Sequence, residues 1–248
     1  MQRLLLAVLA FGIASLASAC SDASESTPPN RIALNGPNFT RPVPSPSLDG
    51  VIGAGEYDGA ATVTFNADLP SGGTTPVTVY ITHDKTYMYL AATFDRGSPF
   101  HLNDVVGFEF DNDNDGIRED GDDIVLAGPT DPAFVVHPGG DYYRFSNGTA
   151  NQSDEFPISD GGTIDVLSVF GVSGTTGVFE FRHDLNSADD AHDFSIDPTP
   201  PQTVGVQISV SLEADPVGSN TYTHSFKPSF TTYCQLTISK KATSVTCP

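Results

Sequence analysis

The residues with the clearest chemistry form an acidic loop, Asp111–Asp122, with the sequence DNDNDGIREDGD. Carboxylates stand at loop positions one, three, five and twelve, and a glycine stands at position six, where a sharp turn is needed. Calcium prefers about six to eight oxygen ligands, and this spacing directs carboxylate oxygens towards one point. The predicted set comprises four aspartate side chains, one backbone carbonyl and one glutamate acting through water: Asp111, Asp113, Asp115 and Asp122, then Ile117, then Glu119.

Two features separate this loop from an EF-hand. Position twelve is Asp122 rather than a bidentate glutamate, and the flanking segments VVGFEF and DIVLAG have the composition of strands, not helices. We therefore interpret it as an EF-hand-like calcium loop between two strands, with a structural role. A solvated acidic turn is the alternative, because Asn and Asp are common in turns. Calcium is favoured because so many carboxylates would otherwise repel one another.

Catalytic motifs are absent from the sequence. None of the six histidines lies in a zinc-binding spacing such as H-E-x-x-H, and there is neither a G-x-S-x-G elbow nor a Walker loop. The densest run of histidine and aspartate, from His183 to Asp193, is interpreted as a solvated helix and loop rather than a metal site. The sequence therefore predicts a protein that is not an enzyme.

Short β-rich segments recur along the chain and are separated by Gly, Pro, Asn and Asp. Several alternate in the period of a half-buried strand, as Val77, Val79 and Ile81 do against their polar neighbours. The strands are predicted near Ala61–Asn66, Val77–Thr82, Tyr87–Phe94, Val105–Phe110, Ile124–Ala127, Ala133–Val136, Tyr142–Ser146, Ile164–Val169, Val178–Arg182, Val204–Leu212, Tyr222–Phe226 and Tyr233–Ile238, with one short helix at Asn186–His192. This pattern predicts an all-β, antiparallel, jelly-roll-like sandwich.

The N-terminal segment has the pattern of a secretory signal. Arg3 supplies a positive charge, Leu4–Leu16 is apolar, and the small residues Ala17-Ser18-Ala19 precede Cys20. The apolar run is shorter than the roughly 20 residues of a membrane span. We expect residues 1–19 to be removed on export.

Cys20 stands at the cleavage point, where it resembles the lipid-bearing cysteine of bacterial lipoproteins, although Ala17 replaces the usual leucine. Ordinary cleavage after Ala19, giving a secreted protein, remains the alternative. The chain has three cysteines, and lipidation of Cys20 leaves Cys234 and Cys247 as a pair in an oxidising compartment. We therefore predict a lipid anchor at Cys20, location at the outer membrane or cell surface, and a Cys234–Cys247 disulfide.

The mature chain is predicted to have two parts. Residues 20–46 are rich in Ser, Pro, Asn and Thr and are expected to form a polar tether, whereas residues 47–248 form the folded domain. The chain holds 31 Asp and Glu against 11 Lys and Arg, a net charge of −20. Because phosphate contacts need a basic surface, this balance argues against nucleic-acid binding and suits cation binding.

Four segments in order resemble the family 9 carbohydrate-binding modules and the wider DOMON-like β-sandwiches. They are Leu48–Tyr57 (LDGVIGAGEY), Val79–Phe94 (VYITHDKTYMYLAATF), Asp104–Gly116 (DVVGFEFDNDNDG) and Gly177–Leu185 (GVFEFRHDL). The resemblance extends to about Leu212. It implies a jelly-roll-like sandwich, bound calcium and a sugar ligand.

Sugar binding in that family relies on aromatic side chains, notably Trp, and this chain has no Trp. Tyrosine both stacks and forms hydrogen bonds, so Tyr142 and Tyr143, with Arg144 beside them, are the predicted ligand-binding residues. Tyr87 and Tyr89 are interpreted as packing residues.

The sequence thus predicts a calcium-stabilised, surface-anchored, carbohydrate-binding-like module that is not catalytic, with a polysaccharide or surface glycan as its partner. The alternative is a structural or adhesive surface domain that binds another protein. The two differ in the exposed face of the sheet, since a groove with aromatic residues favours sugar and a flat apolar patch favours a protein.

Overall fold

The computed structural model describes residues 45–129, 140–146, 152–155, 163–187, 193–196, 201–219, 221–239 and 242–248. Thirteen strands account for the regular structure of these residues, and no helix occurs among them. The strands are β1 Ala61–Asp68, β2 Thr74–His83, β3 Tyr87–Asp95, β4 Val105–Asp111, β5 Asp123–Ala127, β6 Gly140–Ser146, β7 Gln152–Glu155, β8 Val166–Ser173, β9 Thr176–Asp184, β10 Gln202–Glu213, β11 Tyr222–Lys227, β12 Cys234–Ser239 and β13 Ala242–Thr246.

The strands form two antiparallel sheets. The smaller sheet has the order β1-β2-β3-β9-β8, and the larger has the order β13-β12-β10-β4-β5-β6-β7 with β11 also paired to β10. β10 is long enough to serve both neighbours on one side, because its first half pairs with β12 and its second half with β11. The predicted all-β antiparallel sandwich is confirmed.

One apolar core lies between the inner faces of the sheets. Alternate residues point inwards, so that Val77, Val79 and Ile81 of β2 are all fully buried. β10 contributes a similar row facing the core from the larger sheet, and both rows were predicted. Phenylalanines fill the space between the layers, and the Phe94 and Phe179 rings stack with centroids 5.7 Å apart.

The segment that precedes β1 covers the outer face of the smaller sheet. Tyr57 packs with Tyr89 and Ala91 in a second apolar cluster. Beneath this segment lies Glu180 of β9, which is fully buried. Its Oε2 accepts from the backbone N–H groups of Asp49 (3.1 Å) and Gly50 (2.7 Å), and its Oε1 accepts from the Tyr57 hydroxyl (3.0 Å). The first and fourth segments of the family resemblance therefore contact each other directly.

The predicted disulfide between Cys234 and Cys247 is confirmed, with a Cα–Cα distance of 4.2 Å. It joins the start of β12 to the residue after β13, so it closes the C-terminal hairpin. Among the described residues, no helix is long and apolar enough to cross a bilayer.

Some predicted elements differ from the structure. β7 and β13 were not predicted, while the strand predicted at Ala133–Val136 lies outside the described residues, as do the signal segment and Cys20. Residues 188–192 of the predicted helix also lie outside them, and Asn186 forms a β-bridge with Ser195 instead of starting a helix.

Candidate functional site

The acidic loop connects β4 to β5, which are adjacent antiparallel strands of the larger sheet. The register that pairs Phe110 with Asp123 brings the two ends of the loop together. One carboxylate oxygen from each of Asp111, Asp113 and Asp115 lies within 4.8 Å of the others. The strand pairing therefore converts the predicted spacing into a cluster of three oxygen donors.

The backbone of the loop curls around the first carboxylate. Asp111 is buried, and its two oxygens accept from the N–H groups of Asp115 (3.2 Å) and Gly116 (2.8 Å). Gly116 has φ +84°, a left-handed conformation that a side chain would strain, which explains the glycine at position six. Asp115 in turn accepts from the N–H of Ile117 at 2.6 Å. The aspartates are thus fixed by backbone donors.

The other predicted ligands lie outside this group of three. The Asp122 carboxylate is buried and accepts from the Tyr233 hydroxyl (2.6 Å) and the Glu119 N–H (2.9 Å). Ile117 exposes 57% of its surface. Three of the six predicted ligands are therefore brought together directly.

The electrostatics of the loop favour a bound cation. Burial, with the charge of Asp113 second among the unfavourable causes, raises the pKa of Asp111 to about 6. Burial, followed by the charges of Glu109 and Asp111, raises the pKa of Asp122 to about 7. The pKa of Glu119 is also raised, by burial and then by Asp115 and Asp113. A divalent cation would stabilise the ionised form of these carboxylates, because its positive charge offsets their mutual repulsion.

The outer face of the larger sheet begins beside this loop. Gln207, Glu109, Ile124 and Tyr142 stand directly opposite one another on β10, β4, β5 and β6, so they form a row across four strands. The first three are buried, and Tyr142 is half-buried at the end of the row. Gln207 and Glu109 are polar residues on the outer face of a sheet, and yet they are buried. Loops must therefore fold over this surface.

Arg118 and Phe230 are the main covering residues. The Arg118 Nε lies 2.8 Å from both carboxylate oxygens of Glu109, and its Nη2 lies 2.6 Å from Oε2. The same guanidinium lies 4.2 Å from the centre of the Phe230 ring. Phe230 remains 54% exposed, and the turn that carries it is held by a bond from Gln207 Nε2 to the Ser229 carbonyl (2.6 Å). The result is a fixed, exposed aromatic ring beside planar polar groups.

Of the residues on the outer face of the larger sheet, the sequence analysis predicted only some as ligand-binding residues. Tyr142 lies on it. The side chains of Tyr143 and Arg144 lie outside the described part of the structure. Phe230 was not predicted as a ligand-binding residue. The signal in the sequence was a single aromatic residue within the otherwise polar segment PSFTT. Tyr87 and Tyr89 are packing residues, as expected.

The histidine and aspartate run from 183 to 193 was interpreted as solvated, and this was wrong for its two ends. His183 and Asp193 are buried, with 0% and 1% exposure. His183 faces the core because it is two residues beyond Phe181 on β9, and its ring stacks on Phe194 with centroids 4.5 Å apart.

Comparison with known proteins gives structural neighbours only. No family model matches the chain, and no curated protein matches it. The fold is similar to a family 9 carbohydrate-binding module from Caldicellulosiruptor kristjanssonii in complex with cellotriose, with 14% identity, 73% of this chain and 80% of that chain covered, and a TM-score of 0.47. It is also similar to such a module from the same organism in complex with glucose, with 16% identity, 75% and 84% coverage, and a TM-score of 0.45.

Proposed function

We propose that this protein is a calcium-stabilised carbohydrate-binding module without catalytic activity, exported and held at a surface through Cys20. The observation that carries the proposal is the exposed Phe230 ring fixed beside Arg118 on the outer face of the larger sheet. A sugar ring presents C–H groups on its faces and hydroxyls at its edge. An aromatic ring packs against the former, and planar polar side chains bind the latter.

The polar groups at this face suit hydroxyl recognition. Arg118 offers donors in a rigid fork, and its bonds to Glu109 hold that fork in place. Tyr142 adds a hydroxyl that both donates and accepts, at the other end of the row. Phe226 and Phe230 form an aromatic pair on this face, with ring centroids 5.0 Å apart, and polar side chains surround it, whereas a flat apolar patch would favour a protein partner.

Calcium at the loop would support this surface directly. The three convergent carboxylates are oxygen donors of the type that calcium prefers, and Arg118 belongs to the same loop. Asp111, Asp113 and Asp115 would hold the ion, which would neutralise their mutual repulsion. Ordering the loop then fixes Arg118 over Phe230, so calcium stabilises both the domain and its binding face.

The first prediction concerns calcium. Extracellular modules bind calcium with dissociation constants of about 10⁻⁴–10⁻³ M, and Asp122 at position twelve suits the weak end of the scale. An excess of about 100-fold over the dissociation constant should stabilise the protein by about 2.7 kcal/mol. For a domain of this size that is a rise of roughly 5–10 °C in melting temperature over the chelated protein, measured by differential scanning calorimetry.

Asp113→Asn and Asp115→Asn should remove most of this rise, because an amide can still accept the loop hydrogen bonds but carries no charge. Asp120→Asn is the matched control, since it removes one exposed charge from the same loop at a position outside the convergent group. If the wild type has the same melting temperature in calcium and in chelator, the loop is a solvated acidic turn and not a calcium site.

The second prediction concerns sugar. A glycan array in calcium, with glucose and cellotriose among its probes, should show binding that Phe230→Ala weakens at least about 10-fold, since a lost aromatic contact is worth on the order of 1.4 kcal/mol. Arg118→Lys should also weaken it, because lysine keeps the charge but not the fork. Leu167→Ala is the control, because Leu167 is an exposed apolar residue on the smaller sheet. Failure to bind any glycan in calcium would favour the protein-binding alternative.

A further inference from the structure

A second set of metal-type side chains lies between the two sheets. Asp123 begins β5, Asp141 lies on β6, His183 lies on β9, and Asp193 belongs to the segment 193–196. One ligand atom from each residue lies within 4.8 Å of the other three, and none of the four residues is more than 1% exposed. These four residues, here called the interlayer cluster, thus join strands of both sheets.

The histidine of the interlayer cluster is oriented as a ligand. Its Nδ1 lies 2.6 Å from the backbone carbonyl of Asp184, which can only accept, so Nδ1 carries the proton. The lone pair of Nε2 therefore points inwards, where Nε2 is buried, has no hydrogen-bond partner and lies 3.6 Å from Oδ2 of Asp123. Metal-binding histidines characteristically donate their other ring N–H to a carbonyl or carboxylate in this way.

The Asp123 carboxylate of the cluster is fully buried. Both oxygens of Asp123 are buried without a hydrogen bond of good geometry. Arg96 is the only buried Lys or Arg in the described part of the chain, and it pairs with Asp104. Three acidic groups and an imidazole in a dry space call for a positive ion.

We propose that the interlayer cluster is a structural zinc site in which carboxylate oxygens of Asp123, Asp141 and Asp193 and Nε2 of His183 are the ligands. Zinc accepts aspartate oxygen and histidine nitrogen as ligands, and its structural sites have four protein ligands and are closed to solvent, as this cluster is. An imidazole ligand favours zinc and its neighbours over calcium or magnesium, which prefer oxygen alone. The backbone N–H of Asp165 donates to Asp141 Oδ2 (2.7 Å) and so holds one ligand in place.

The interlayer cluster is distinct from the acidic loop, although Asp122 and Asp123 are neighbours in sequence. Successive residues of an extended chain point to opposite faces. Asp122 accordingly bonds Tyr233 on the outer side, whereas Asp123 points between the sheets towards His183. A zinc ion held there would link the larger sheet to the smaller one at the end of β9.

The test uses the full chain, stripped with chelator and then given Zn²⁺ alone or Ca²⁺ alone. Elemental analysis after dialysis should find about one zinc per chain, and zinc should raise the melting temperature. Asp193→Asn and His183→Gln should each lose the bound zinc and the rise. His224→Gln should keep both, because His224 is exposed on β11. Asp113→Asn should keep the zinc response while losing the calcium response, which separates this proposal from the calcium loop.

Substitution with Co²⁺ supplies a readout that does not depend on folding stability. Four-coordinate Co²⁺ bound through the cluster should give visible absorption bands that change in His183→Gln. Zinc content that is unchanged in both Asp193→Asn and His183→Gln would overturn the proposal. So would a melting rise produced by calcium, not by zinc, that is lost in Asp193→Asn but kept in Asp113→Asn.

Discussion

Replacing Arg96 with methionine is expected to lower the free energy of unfolding by about 3–5 kcal/mol, because it leaves a buried carboxylate without its cation. Arg96 is 2% exposed, and its Nε lies 2.7 Å from Oδ2 of the fully buried Asp104. Asp104 also accepts from the backbone N–H groups of His101 (2.7 Å) and Glu213 (2.9 Å). This one ion pair therefore ties the start of β4 to the ends of β3 and β10, and urea unfolding monitored by circular dichroism measures its loss.

Arg182→Met is the matched control for this change. Arg182 lies partly exposed on the smaller sheet, 4.4 Å from the Tyr87 ring, and such a contact is worth only about 0.5–1 kcal/mol. Adding Asp104→Asn to Arg96→Met should recover part of the loss, since it removes the unpaired charge. A loss below about 1 kcal/mol in Arg96→Met would show that the pair is not a major source of stability.

The second large effect is expected at Glu180. Glu180→Leu removes the acceptor for two backbone N–H groups and the Tyr57 hydroxyl, and buried donors without partners cost about 1–3 kcal/mol each. Because one of the three bonds is only partly buried, the other two dominate, and we expect a loss of about 2–6 kcal/mol. The segment before β1 should also detach from the smaller sheet and become sensitive to protease.

Glu180→Gln provides the comparison, because glutamine keeps one carbonyl oxygen of the same reach. It should retain most of the protease resistance and lose less stability than Glu180→Leu. Limited proteolysis with mapping of cleavage sites between residues 48 and 60 measures the first effect, and chemical unfolding measures the second. Cleavage at the same rate in Glu180→Leu and the wild type would show that other contacts hold this segment.

The strands were predictable where burial is one-sided. Alternation at Val77, Val79 and Ile81, and again along β10, follows directly from the requirement that one face contacts the core. β7 and β13 were not predictable in this way, because their sequences QSDE and ATSVT are short and mainly polar. Such edge strands are specified by the neighbour they pair with, not by their own pattern.

The two clusters of carboxylates also differ in how far the sequence alone could predict them. Asp111, Asp113 and Asp115 are close in sequence, so their spacing alone predicts that their oxygens converge. The interlayer cluster draws its members from four separate segments, and only the pairing of β5 with β6 and the packing of the sheets bring them together. In the sequence Asp123 only follows the acidic loop, and no local feature reveals which face of the sheet it occupies.

The order of the strands limits the rate at which this domain can fold. β3 must pair with β9, and β4 with β10, so each sheet is joined at its centre by segments far apart along the chain. Closing such large loops is entropically costly, and sandwiches dominated by these pairings fold on the order of milliseconds to seconds. Until β9 and β10 have been synthesised, β3 and β4 each have an edge whose backbone N–H and C=O groups are unpaired, and neither sheet can be completed. A newly made chain therefore cannot complete either sheet until its last third has been synthesised.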